Sequence, residues 1–75
     1  MRRIFTVTMD LFIASKGVHA LLLDGEAPVM EYEHIKYGGQ VYPAIYAHDA
    51  PWCIGLKAEP TLPESLKGEQ IEFVG

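Results

Sequence analysis

The chain has 75 residues, of which 49% are hydrophobic and 11% aromatic, and its formal net charge at pH 7 is −4. This length suits a single small domain spanning residues 1–75, and the apolar content excludes a disordered chain. The six basic residues are scattered rather than clustered, which disfavours binding to nucleic-acid phosphates.

The first predicted element is a strand over Ile4–Ile13. Thr6, Thr8 and Asp10 alternate with apolar residues there, with the period of two that is typical of a strand with one buried face. The pattern therefore places Asp10 on the polar face of the strand. The residues predicted to share the apolar face are Phe5, Val7, Met9, Leu11 and Ile13.

Three further strands are predicted in the middle of the chain. The short apolar run Val18–Leu23 fits a buried strand better than a piece of helix. In Val29–Tyr37 the alternation shifts by one residue, which indicates a β-bulge or a sharp bend. Gly38-Gly39 then predicts a two-residue hairpin turn into a strand over Gln40–His48. Pro43 cannot donate to a ladder, so it belongs at a sheet edge or at the beginning of a strand.

The last third of the chain predicts two strands and a helical turn. Trp52–Leu56 alternates, with Trp52 on the same face as Ile54 and Leu56. Thr61-Leu62-Pro63-Glu64 has the form of a capping box, which predicts a short helix before Gly68. Gln70–Val74 is the final predicted strand.

This order predicts an all-β fold, a small antiparallel barrel of five or six strands with one short helical turn before the last strand. The architecture resembles the SH3-like barrels, which also have a short 3₁₀ turn before their final strand. An OB-like barrel is the alternative. The resemblance is one of architecture and implies no function.

Cysteine usage and hydropathy indicate a cytoplasmic protein. Cys53 is the only cysteine, so an intramolecular disulfide is impossible and a reducing compartment fits best. Polar residues interrupt the first apolar run, which therefore lacks the form of a signal peptide. No segment approaches the ~20 apolar residues of a membrane helix, so no membrane association is expected.

Metal binding and catalysis are not expected. The three histidines, with Cys53 and either Asp10 or Asp49, lack the tight spacing of a zinc site. Cys53 lies in an apolar run that suits packing better than nucleophilic chemistry. Glu31 and Glu33 resemble the solvated face of a strand more than a catalytic pair of carboxylates. We therefore predict no cofactor, no metal and no enzymatic activity.

The most suggestive set of residues is aromatic and acidic. Tyr42 and Tyr46 flank Ala44 on one strand face, which predicts a shallow notch of the kind that binds peptides. The full predicted binding set is Tyr32, Tyr37, Tyr42, Tyr46, Glu31 and Glu33. The hypothesis is a non-enzymatic adaptor or inhibitor module that contacts a protein partner or a second copy of itself. The alternative is a homo-oligomeric subunit that binds a small molecule or a metal.

Overall fold

Seven strands form one antiparallel sheet in the computed structural model, which describes residues 2–75. In chain order they are β1 Ile4–Ile13, β2 Val18–Leu23, β3 His34–Tyr37, β4 Gln40–Pro43, β5 Ile45–Tyr46, β6 Cys53–Lys57 and β7 Gln70–Val74. Across the sheet their order is β4-β3-β7-β1-β2-β6-β5. The all-β prediction is confirmed, with more strands than predicted, and within residues 2–75 no ladder closes the sheet into a barrel.

Strands β1, β2 and β7 have the predicted bounds. The hairpin between β3 and β4 also forms as predicted, because Gly38 and Gly39 adopt φ angles of 57° and 81°. Both angles lie in the left-handed region that glycine enters without a steric penalty. Pro43 lies in β4, at an edge of the sheet, where the ladder does not need a hydrogen bond from an N–H at this position.

A β-bulge in the middle of β1 decides which of its side chains face the interior. Val7 lies opposite Leu23 of β2, whereas Met9 lies opposite Leu22, so Thr8 is an extra residue in the ladder. The Thr8 hydroxyl donates a hydrogen bond to the carbonyl oxygen of Leu22 at 3.1 Å. The alternation of inward and outward side chains is therefore inverted beyond Thr8.

The prediction of one apolar face along β1 is correct only before the bulge. Phe5 and Val7 are buried, as predicted. Beyond the bulge the apolar side chains that were expected in the core point outward, and Asp10 points inward. The three misplaced residues are Met9, Leu11 and Ile13.

The predicted strands over Val29–Tyr37 and Gln40–His48 are shorter in the structure. Val29–Glu33 forms turns instead of strand, and Met30 there has a φ of 63°. The shift in alternation thus marks a turn rather than a bulge. The second strand is split at Ala44, whose N–H donates to the carbonyl oxygen of Glu33 at 2.9 Å. Because of this break, β4 pairs with β3 whereas β5 pairs with β6.

The predicted helical turn before the last strand is wrong. Residues 58–69 form turns, and residues 2–75 contain no helix, hence none that could cross a membrane. Thr61 does not cap a helix, because its hydroxyl pairs with that of Tyr42 at 2.7 Å. The N–H of Leu66 donates to Asp10 Oδ2 at 2.8 Å instead of to a helical carbonyl.

The core lies on the concave side of the sheet. Phe5 and Phe73 pack edge to face there, with ring centroids 5.4 Å apart. Leu66 reaches the core from the loop between β6 and β7, and Ala27 from the loop after β2. The other fully buried apolar side chains are Val7, Leu21, Ile35, Ile54, Leu56 and Ile71.

Candidate functional site

The bulge at Thr8 leaves an apolar surface on the convex side of the sheet. Residues paired across a ladder share a face, so the outward side chains of β1, β2, β6 and β5 form one continuous surface. We define the outer face as these residues: Met9, Leu11, Ile13, Val18, Ala20, Leu22, Ile45, Cys53, Gly55 and Lys57. Lys57, at one corner, is the only charged residue of the set.

Four large side chains of the outer face remain accessible: Met9, Leu11, Ile13 and Ile45, each between 39% and 50% exposed. The surface is continuous between β5 and β2. A Cβ at Gly55 would lie 3.1 Å from Ile45 Cβ and 3.4 Å from Val18 Cγ1. On the order of 300 Å² of apolar surface is uncovered, the size of the largest apolar patch on a typical monomer, which is often functional.

Asp10, which the bulge turns inward, pairs with His19 of β2. The side chains are 1% and 6% exposed, respectively. His19 Nδ1 lies 3.0 Å from Oδ1 and 2.9 Å from Oδ2 of Asp10. Because Oδ2 also accepts the N–H of Leu66, the pair fixes the loop between β6 and β7 against β1. An aspartate predicted to lie on the polar face thus belongs to a buried polar network.

His19 forms one wall of a cavity of about 400 Å³ between β1 and that loop. The Phe12 ring packs at a tilt against the His19 ring, with centroids 5.1 Å apart. We call this cavity the His19 pocket; its lining residues are Phe12, His19, Ala58, Leu62, Pro63 and Glu64.

Tyr42, one of the two central residues of the predicted binding notch, lies in the core. It is 5% exposed, and its hydroxyl pairs with that of Thr61. Its ring is therefore not available to a partner in this structure. The chain bends at Ala44, so Tyr42 packs inside the sheet while Tyr46 lies half-buried near its end.

Three of the predicted binding residues do come together. Tyr32, Glu33 and Tyr46 line an open pocket of about 450 Å³ beside Met30, which is 79% exposed. The Tyr46 hydroxyl donates to the carbonyl oxygen of Tyr32 at 2.7 Å, and the Tyr46 ring stacks on Phe73. Burial raises the pKa of Tyr46 above its usual value. The rings of Tyr32 and Tyr46 thus both pack against the core and line the pocket.

The remaining two residues of the predicted set lie elsewhere. The Tyr37 hydroxyl donates to Glu69 at 3.1 Å, and burial, followed by this bond, raises the pKa of Tyr37. Glu31 lines a different pocket, near Arg2. The predicted six-residue face is therefore divided among the core, one open pocket and two separate surface positions.

The residues considered for a metal site do not converge. Within residues 2–75 no group of three His, Cys, Asp or Glu side chains is placed to hold a metal ion. His34 Nδ1 faces the carbonyl oxygen of Gly75, and His48 is exposed in a loop. Burial raises the pKa of the Cys53 thiol, which disfavours the reactive thiolate.

Neither a family model, nor a curated protein, nor a solved structure shows significant similarity to this chain.

Both features depend on the bulge, which the predicted pattern of β1 does not include. A signal of it is present in the sequence: the apolar run Leu11-Phe12-Ile13 occupies both faces of the strand, so alternation ends after Asp10. The end of the alternation, together with the nearby Thr8 whose hydroxyl can bond to a carbonyl of the next strand, is the sequence signal for a bulge at this position.

Proposed function

We propose that this chain is a non-enzymatic protein-binding module, and that it binds a second copy of itself through the outer face. The observation that supports this proposal is the apolar surface centred on Leu11 and Ile45, in which Lys57 is the single charged residue. It takes the place of the Tyr42/Tyr46 face, because Tyr42 is buried.

The absence of carboxylates from the outer face allows a second copy to be the occupant. Each chain carries a net charge of −4, and the acidic side chains lie outside the outer face. Two copies that meet through this face therefore bury no carboxylate, and Lys57 lies at the rim. A basic partner would instead be expected to contact an acidic surface.

The area is sufficient for a reversible dimer. Covering the two apolar patches gains roughly 15 kcal/mol at ~25 cal/mol per Å², against an association cost of about 4–15 kcal/mol. About 300 Å² of apolar surface per partner is less than the ~800 Å² of standard complexes and suits a weak, transient interface. We expect a dissociation constant on the order of micromolar. Two sheets packed face to face in this way would form a sandwich across the dimer.

The test compares two lysine substitutions on neighbouring residues of β1. Leu11 is 50% exposed on the outer face and Phe12 is 53% exposed on the opposite face, so the two substitutions are closely matched. In sedimentation velocity over a concentration series, the wild type and Phe12→Lys should dimerise, whereas Leu11→Lys should stay monomeric. A monomeric wild type, or equal dimerisation of both variants, would contradict the proposal.

We propose that the sheet is part of an SH3-like or OB-like barrel, since its edge strands β4 and β5 are separated in the chain only by Ala44. We also propose a cytoplasmic location, since the single thiol of Cys53 suits a reducing compartment.

A further inference from the structure

The Asp10–His19 pair takes no part in the proposed interface. A buried pair of ionisable groups rarely stabilises a fold more than apolar side chains of the same volume would. This pair is nevertheless almost fully enclosed. Part of its role is structural, because Asp10 accepts the N–H of Leu66. That bond requires only an acceptor at position 10 and does not account for an imidazole at position 19.

The second nitrogen of His19 is unpaired and faces the His19 pocket. Within residues 2–75 no protein atom forms a hydrogen bond with Nε2, and Nε2 is not among the enclosed polar atoms without a partner. It is therefore accessible through the cavity that the ring lines. Asp10 sets the tautomer, because a carboxylate accepts the proton carried by Nδ1. In the neutral form of the ring, this tautomer leaves the Nε2 lone pair for a hydrogen-bond donor in the pocket.

The walls of the His19 pocket define the rest of the ligand. Phe12, Leu62 and Pro63 supply apolar contacts on the sides of the cavity. Glu64 is the only carboxylate among the lining residues. The pocket is open to solvent on the side of Phe12, which is 53% exposed. A mostly apolar cleft with a few convergent polar groups is the usual form of a small-molecule site.

We propose that the His19 pocket binds a small arylalkylamine. The aromatic ring packs against Phe12 and Leu62, a donor group on the ring bonds to His19 Nε2, and the ammonium lies near the Glu64 carboxylate. The carboxylates of Asp10 and Glu64 both favour a cation, and no lysine or arginine lines the cavity to hold an anion.

The test is a titration with tyramine, followed by long-range ¹H–¹⁵N NMR of the histidine rings. The three rings report separately, and His34 and His48 serve as internal controls because both lie outside the His19 pocket. We expect a saturable shift of His19 Nε2 at roughly millimolar tyramine, the affinity typical of a ligand with about ten non-hydrogen atoms. The absence of a saturable shift, or equal shifts at all three histidines, would overturn the proposal.

Charge selectivity provides the second readout. 4-Hydroxyphenylacetate has the same phenol as tyramine but carries a carboxylate, and we expect it to bind at least about tenfold more weakly. Glu64→Gln should weaken tyramine binding about threefold. Glu26→Gln, which removes the same charge far from the pocket, should leave it unchanged. Equal binding of the two phenols, or equal effects of the two substitutions, would contradict the assignment of Glu64.

Discussion

Replacing Asp10 with alanine should be one of the most destabilising single substitutions in this domain. The alanine removes the acceptor of two hydrogen bonds, from His19 Nδ1–H and from the N–H of Leu66. Each buried donor left unpaired costs about 1–3 kcal/mol, so the free energy of unfolding should fall by roughly 3–4 kcal/mol. The whole domain is expected to have a stability of only about 4–11 kcal/mol.

Asn at position 10 separates the two bonds. Its carbonyl oxygen still accepts the N–H of Leu66, and its amide donates to His19 once the imidazole carries its proton on Nε2. Asp10→Asn should therefore cost only about 1–2 kcal/mol. It should also move the His19 proton from Nδ1 to Nε2, which the ¹⁵N shifts of the ring report.

The assay is equilibrium unfolding in urea, followed by circular dichroism. Asp49→Ala, at an exposed aspartate in a loop, is the control and should change the stability by less than about 0.5 kcal/mol. If Asp10→Ala proved no more destabilising than this control, Asp10 would not be the buried acceptor that the structure describes.

Three further predictions concern the rest of the chain. Met30→Gly should stabilise the domain by about 0.5 kcal/mol, since the φ of 63° strains a non-glycine residue. The melting temperature should rise by ~2–4 °C. Val29→Gly, at negative φ, should lower the melting temperature instead. The hydrogen bond from Arg2 lowers the pKa of Asp24 below its ordinary value of 3.8. The ionised Asp24 carboxylate thus stabilises the fold above pH 3.8, and this stabilisation is lost as the pH falls through the lowered pKa. In urea titrations, Asp24→Asn should therefore lose less stability between pH 6 and pH 2 than the wild type does. Burial raises the pKa of Cys53, so iodoacetamide at pH 8 should alkylate the native chain severalfold more slowly than the urea-unfolded chain, and equal rates would refute this.

Local patterns in the sequence predicted the bounds of β1, β2 and β7 correctly. Gln70–Val74 alternates without interruption, and its buried residues are Ile71 and Phe73, as the pattern requires. Gly38-Gly39 also predicted its hairpin, because positive φ is a local property of the residue type. These elements need no information from distant parts of the chain.

The features that suggest a function depend on contacts between distant residues. An aspartate such as Asp10 is expected on the polar face of a strand, and it is buried only because His19 and Leu66 supply its partners. Thr61 suits a helix cap equally well, but in the fold it contacts Tyr42. The partners of Asp10 and of Thr61 cannot be identified from spacing along the chain.

Tyr42 is buried rather than exposed for a related reason. Alternation places Tyr42 and Tyr46 on the same side of a strand, but it does not say whether that side faces solvent. In a sheet this small the concave side is the core, and Phe73 contacts the Tyr46 ring there. The exposed apolar surface lies on the convex side instead, on residues predicted to be buried.

The most direct test of the proposed self-association is an isotope-filtered NOE experiment on a one-to-one mixture of ¹³C-labelled and unlabelled chains at millimolar concentration. The proposal predicts intermolecular NOEs among the methyl groups of Leu11, Ile13 and Ile45, and none from Ile71, which is buried in the core. Intermolecular NOEs confined to other surfaces, or a chain that stays monomeric at this concentration, would contradict it.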